Sequence, residues 1–155
     1  MSYNASLSLH VRKQHEADVL RCSGKILGPP DDPSFGSYDP FNGDPDVARF
    51  DWPFENHGGS VYALLSALRE RGIPYIALQS DDAENFCWTL EVFDGKDLLC
   101  EASTDDGDLL VTFDPMVDRS TGVDVLAVPP ELLRFSERFR AVHALICADK
   151  FPADA

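Results

Sequence analysis

The feature that most restricts how this chain of 155 residues can fold is the segment formed by residues 28–59. It contains six prolines and five glycines, which interrupt the periods of both helices and strands. We therefore predict one long loop over residues 28–59. Six of the 16 aromatic residues lie in this segment, and disordered segments are poor in aromatics, so we expect the loop to be ordered.

The sequences on both sides of this segment have regular hydrophobic periods. Residues 7–11 alternate between apolar and polar side chains, which predicts a half-buried strand, and residues 18–22 are predicted to form its antiparallel neighbour. After the loop, residues 61–71 carry an apolar stripe at helical spacing, with Ser60 as the capping residue. Residues 75–78 follow as a short, largely buried strand.

A β-meander is predicted around residues 86–113. Its strongest turn signal is Asp94-Gly95, because both residues tolerate the positive φ angles that a tight hairpin requires. With these two residues as the loop, the strand pairing places four apolar side chains on one face of the hairpin, which we expect to be the core face. These four residues are Trp88, Leu90, Val92 and Leu99.

A helix of about 18 residues is predicted to begin at Pro129-Pro130, since apolar residues then recur at helical spacing. The order of the elements predicts an α+β fold formed by one domain over residues 1–155. In this fold, two amphipathic helices pack on one face of an antiparallel or mixed sheet, and the long loop lies beside it.

The charge of the chain is strongly acidic and unevenly distributed. The formal net charge is -14, and 20 of the 27 Asp and Glu residues lie in residues 28–59 and 81–129. This excess argues against direct binding of nucleic acid, which requires lysine and arginine to neutralise phosphates. We find no membrane-spanning run, no leader sequence and no cysteine pair with metal-site spacing, so we expect a cytoplasmic protein without a metal or cofactor.

The long loop is the predicted partner-binding surface. Its aromatic rings can anchor an interface, and the carboxylates between them would select a basic protein, including a toxin or nuclease with a basic active-site cleft. In the other interpretation of this loop, the rings hold it on the core. The predicted contact residues are Tyr38, Asp39, Phe41, Asp44, Asp46, Asp51, Trp52 and Glu55. The carboxylate spacing does not match a twelve-residue calcium-binding loop.

No spacing typical of a nucleophilic or nucleotide-dependent enzyme is present. We therefore expect a non-enzymatic binding domain of the inhibitor or immunity type. One alternative is a small enzyme or small-molecule-binding protein with its site between the sheet and residues 28–59, where His57 would act as acid or base. A second alternative is a structural domain that forms oligomers through the aromatic loop.

Overall fold

A computed structural model describes residues 4–32, 38–80, 88–110, 117–118, 123–124 and 130–147, without the side chains of 4, 53–58, 117–118 and 123–124. Five strands form one antiparallel sheet in the order β2-β1-β3-β4-β5, which establishes an α+β fold. The elements are β1 (Asn4–Arg12), a 3-10 turn (Lys13–His15), α1 (Glu16–Ile26), β2 (Val47–His57), α2 (Gly58–Glu70), β3 (Tyr75–Ser80), β4 (Trp88–Phe93), β5 (Leu98–Ser103), the paired β6 (Val117–Asp118) and β7 (Val123–Asp124), and α3 (Pro130–Ile146).

The alternating pattern of β1 divides the core between the two faces of the sheet. Leu7, Leu9 and Val11 point to one face, where they pack with apolar residues of α1 and α2. On the opposite face, Ile76 and Leu78 pack with apolar residues of β4 and α3. The prediction that the helices share one face is therefore wrong. The central strand β3 is apolar on both faces, so each face requires its own cover.

Residues 18–22 form part of helix α1 and not the predicted strand. Val19, Cys22 and Ser23 are buried at i, i+3 and i+4, and Ile26 continues the stripe one turn later. Residues 18–22 span less than two helical turns, so the hydrophobic period within these five residues alone does not distinguish a helix from a strand. The fold thus has three helices in its described part, one more than predicted.

The predicted loop is shorter than expected, because residues 47–57 form the edge strand β2. Ala48, Phe50 and Trp52 alternate towards the core, so the strand period is present in the sequence. The pairing with β1 shifts between Ala5 and Leu7, which leaves extra residues of β2 around Pro53. A proline is compatible with such an irregularity in an edge strand.

The predicted hairpin is present, but its turn lies one residue later. Phe93 pairs with Leu98, and the Asp94 Oδ1 atom accepts hydrogen bonds from the backbone N–H groups of Lys96 and Asp97, at 2.8 and 2.7 Å. The central residues are therefore Gly95 and Lys96. Because this shift moves each pairing by two residues, the predicted shared face is retained. Its members Trp88, Leu90, Val92 and Leu99 belong to the apolar cluster beneath α3, so the prediction that they form the core face of the hairpin is confirmed.

The two predicted helices are confirmed, with one change at a boundary. Helix α2 begins at Gly58, so Ser60 lies within its first turn and is not its capping residue. At the other end, Gly72 has a φ angle of 66° and ends the helix where the chain turns towards β3. Helix α3 starts at Pro130, as the two prolines predicted.

Candidate functional site

A short loop segment, residues 38–46, covers the polar end of the sheet face that carries α3. The Asp39 carboxylate holds its shape by accepting hydrogen bonds from the backbone N–H groups of Phe41, at 3.0 Å, and Gly43, at 2.7 Å. The Phe41 ring stacks on the His143 ring of α3, with centroids 4.2 Å apart, and the His143 Nε2 atom lies 2.9 Å from the Pro40 carbonyl oxygen. The segment is thereby fixed between the sheet and α3.

Charged and polar side chains of β1 and β2 lie beneath this segment. His10 pairs with Arg49 across the two strands, and Ser8 pairs with Asp51, so all four side chains point to the same face. The Arg49 Nη1 atom is 3.8 Å from an Asp39 oxygen, and its Nε atom is 3.5 Å from an Asp51 oxygen. One guanidinium therefore offsets the charge of two largely buried carboxylates.

Burial changes the proton affinity of two groups in this cluster. His10 is fully buried, and burial lowers its pKa to about 4, although the Asp39 carboxylate, 3.7 Å from the ring, acts in the opposite direction. Burial also raises the pKa of the Asp51 carboxyl, and Arg49 offsets only part of that effect. The imidazole of His10 is consequently neutral at pH 7.

A pocket of about 220 Å³ opens between the loop segment and these strands. Within the described part of the chain, neither ring nitrogen of His10 has a hydrogen-bond partner, and the same holds for Nε and Nη2 of Arg49. Buried polar atoms without partners are uncommon in folded proteins, so this pocket has unmet capacity for hydrogen bonding. It is lined by His10, Asp39, Phe41, Gly43, Asp44, Val47 and Arg49.

The two acidic stretches of the sequence meet where a turn at residues 104–108, the acidic turn, contacts Tyr38. A methyl group on Gly107 would lie 2.3 Å from Cε2 of the Tyr38 ring. Burial, followed by the nearby carboxylates of Asp108 and Asp39, raises the pKa of the Tyr38 hydroxyl. The acidic turn and the loop segment are therefore packed into one surface.

The acidic turn differs from the other carboxylates of this region because its charges are exposed. Asp105, Asp106 and Asp108 are exposed and have no ion pair among the residues that the structure describes. By contrast, the hairpin carboxylate of Asp94 pairs with Arg138 of α3. The turn thus carries three charges that remain available to a partner.

A second pocket, of about 210 Å³, lies between the acidic turn and α3. Its lining is mainly apolar, with one charged side chain from α3, that of Arg140. An apolar pocket beside exposed charges has the layout of a protein interface, in which a desolvated anchor is surrounded by a polar rim. The lining residues are Leu90, Gly107, Leu109, Phe135, Ser136, Phe139 and Arg140.

Two of the predicted contact residues are buried, and they lie in different parts of the core. Trp52 is 2% exposed and lies in the core beneath α1 and α2, where its Nε1 atom donates a hydrogen bond to the Gly28 carbonyl, at 3.2 Å. Phe41 is 7% exposed and packs beneath α3. In this conformation neither ring is an exposed anchor.

The remaining predicted residues differ in exposure. Tyr38, Asp39, Asp44 and Asp51 are half-buried, and Asp46 is exposed. The side chains of Glu55 and of His57, the histidine named for the enzymatic alternative, lie outside the described residues.

Sequence reasoning missed His10, Arg49 and Gly107. A half-buried strand implies that the polar side of β1 faces solvent, whereas in the structure that side is covered by the loop segment and α3. Arg49 and Asp51 alternate with buried apolar residues, and this pattern would have revealed β2 and the face that it shares with His10.

A further polar network on the opposite face is internally satisfied. The Glu91 carboxylate accepts hydrogen bonds from the Tyr75 hydroxyl, at 2.8 Å, and from the Gln79 amide, at 3.0 Å, while Arg69 donates to the same hydroxyl. Cys100 is exposed, but partial desolvation of its thiol, followed by the charge of Glu91, raises its pKa, so the thiolate is disfavoured at pH 7. We assign this network a structural role.

Two other kinds of site are not present among the described residues. Residues 4–32, 38–80, 88–110 and 130–147 contain no group of three or more His, Cys, Asp or Glu side chains arranged to hold a metal ion. The helices of the described part do not combine the length and the apolar character needed to cross a membrane.

The burial of His10 predicts a loss of stability in acid. The unfolded chain binds a proton at His10 near pH 6.5, whereas the folded chain does so only near pH 4, so stability falls as the pH decreases through this window. From pH 7 to 4.5 we expect a contribution of about 2 kcal/mol from this residue. Urea unfolding across this range should show that His10→Gln removes this part of the pH dependence. Equal losses in both proteins would contradict the assignment.

Comparison with known proteins gives no relative from which a role could be carried over. No protein-family model matches the chain. The curated proteins contain no significant match, and neither do the solved structures. The functional interpretation therefore rests on the two pockets, the acidic turn and the charges described above.

Proposed function

We propose that this chain is a non-enzymatic, acidic protein-binding domain of the inhibitor or immunity type, which masks a basic surface or active site of a partner protein. The observation that carries the proposal is the acidic turn, where Asp105, Asp106 and Asp108 are exposed beside an apolar pocket. Such a surface offers charge for attraction and an apolar cavity for an anchoring side chain.

The net charge supports the same kind of partner. At -14, the chain generates a negative field that attracts a basic protein and raises the rate of encounter. At contact distance, fewer carboxylates are available to a partner, because Arg49 already offsets the charges of Asp39 and Asp51, and Arg138 offsets that of Asp94. The carboxylates of the acidic turn, together with the exposed Asp46, are therefore the ones proposed to meet the partner.

The centre of the proposed contact surface lies at the acidic turn and not within residues 39–55. Phe41 and Trp52 are buried, and Asp51 faces Arg49, so these three residues support the surface from within. Tyr38 joins the two parts, because its ring packs against Gly107.

The test is a matched comparison of charge-neutralised variants. A partner captured from the native source at low salt would be identified, and its affinity measured at about 50 and 200 mM salt. We expect the triple variant Asp105→Asn, Asp106→Asn, Asp108→Asn to bind roughly tenfold more weakly at low salt, with a flatter salt dependence.

The control is a triple variant with the same change of charge at exposed positions outside the acidic turn and its pocket, Asp31→Asn, Asp32→Asn and Glu70→Gln. It should change the affinity about twofold or less, since long-range steering depends weakly on any one site. Recovery of no basic partner, or equal losses in both triple variants, would refute the proposed surface.

A further inference from the structure

We propose that the pocket between the loop segment and strands β1 and β2 binds a small, neutral, oxygen-rich ligand through His10 and Arg49. The ligand would present a carbonyl or hydroxyl oxygen to Arg49 and a polar hydrogen to the His10 ring. No residue of the acidic turn lines this pocket, and the proposal does not depend on the proposed protein partner.

The hydrogen-bonding groups of the pocket determine which atoms the ligand must offer. A neutral histidine provides one N–H donor and one nitrogen acceptor, and a guanidinium provides only donors. Neither nitrogen of His10 makes a hydrogen bond in the described structure, and the same holds for Nη2 of Arg49, whereas the Arg49 Nε atom faces the Asp51 carboxylate at 3.5 Å. The Asp39 oxygens, in contrast, already accept two backbone hydrogen bonds. The two N–H groups on Nη2 of Arg49 and one N–H of His10 are therefore unmet, against one nitrogen acceptor of His10 and the Asp51 Oδ2 atom beside Arg49, which favours a ligand rich in acceptor oxygens.

The charges around the pocket exclude an anion, although anions would also offer acceptor oxygens. Asp39 and Asp44 line the pocket, and Asp51 lies 3.5 Å from the Arg49 Nε atom, so the three carboxylates of this region outnumber its one guanidinium. An added carboxylate or phosphate would be repelled in a region that is poorly exposed to water. The same carboxylates attract a cation, but the N–H donors of a cationic ligand would face the unmet donors of Arg49 and could not satisfy them. A neutral ligand avoids both penalties.

The size and the walls of the pocket limit the ligand further. A volume of about 220 Å³ is smaller than the roughly 300–1,000 Å³ of pockets that take drug-sized ligands, so a molecule no larger than a monosaccharide fits. Phe41 and Val47 supply apolar wall, and stacking on His143 fixes the Phe41 ring. The pocket thus combines a rigid apolar side with directional polar groups, as ligand sites commonly do.

The test uses nuclear magnetic resonance of the ¹⁵N-labelled protein, with the His10 ring nitrogens and the Arg49 Nε–H group as reporters. Acetamide and glycerol serve as neutral probes, with acetate and methylammonium at equal ionic strength as charged ones. We expect saturable shifts of both reporters with at least one neutral probe, and at least tenfold weaker binding of each charged probe. An absence of saturation with both neutral probes would show that the pocket holds only water and would overturn the proposal, as would equal or tighter binding of acetate.

Variants separate the proposed contacts from general effects on the fold. Arg49→Lys keeps the positive charge but removes the guanidinium with its unmet Nη2 donors, so the neutral probe should bind at least tenfold more weakly. Arg140→Lys, at the other pocket, is the matched control and should leave binding unchanged. If Arg49→Lys does not fold, Val47→Met extends an apolar chain into the pocket and should reduce binding similarly. Unchanged binding in the folded variants would overturn the proposal.

Discussion

Replacement of Gly107 with alanine should destabilise the folded protein by about 3 kcal/mol or more. Gly107 has a φ angle of 80°, in the region that favours glycine, so a side chain there strains the backbone. The new methyl group would also lie 2.3 Å from Cε2 and 2.9 Å from Cδ2 and Cζ of Tyr38. Because the ring is half-buried, it must move or displace the acidic turn. The free energy of unfolding, measured by urea titration, should report the sum of the two costs.

Two further variants separate these costs. Gly24→Ala lies in helix α1, where a methyl group meets nothing within 4 Å, so it should stabilise the protein by about 0.5–1 kcal/mol. The double variant Tyr38→Ala, Gly107→Ala removes the clash and keeps the backbone strain. We therefore expect Gly107→Ala to cost less in the Tyr38→Ala background than in the wild-type protein. An equal cost in both backgrounds would show that the ring and the acidic turn are not in contact.

Much of the fold follows from local sequence patterns. The alternation in β1, the stripes of α2 and α3 and the Asp94-Gly95 turn signal each depend on residues close in sequence, and each identified an element correctly. The prediction for α1 was wrong because its apolar stripe is short. The strand β2 was not predicted because prolines and glycines in residues 28–59 obscure the alternation of its side chains. In both cases the hydrophobic cover supplied by distant elements determines the conformation.

The candidate site was harder to predict because every contact in it joins distant parts of the chain. His10 lies close to Asp39 and Arg49 because β1 pairs with β2. This pairing could not be predicted, because β2 itself was not predicted. Gly107 meets Tyr38 across 69 positions, and no local pattern indicates that contact. The distribution of Asp and Glu along the sequence located the two acidic stretches. It could not distinguish the carboxylates that are offset by arginine from those that are left exposed.

The second large effect concerns Arg49, whose replacement by methionine should cost about 3 kcal/mol at pH 7. The side chains of Arg49, Asp39 and Asp51 are only 18–20% exposed, so removal of the cation leaves two poorly solvated carboxylates close together. Their mutual repulsion and desolvation favour protonation, and the pKa of Asp51 is already raised by burial. The cost of the substitution should therefore shrink as the pH falls towards 4, since protonation removes the uncompensated charge.

Arg21→Met is the matched control, because its pair with Asp18 is exposed and should contribute less than about 1 kcal/mol at any pH. Urea unfolding of the three proteins between pH 4 and 8 measures these differences, and a cost for Arg49→Met that is small or independent of pH would mean that Arg49 does not offset the buried carboxylates.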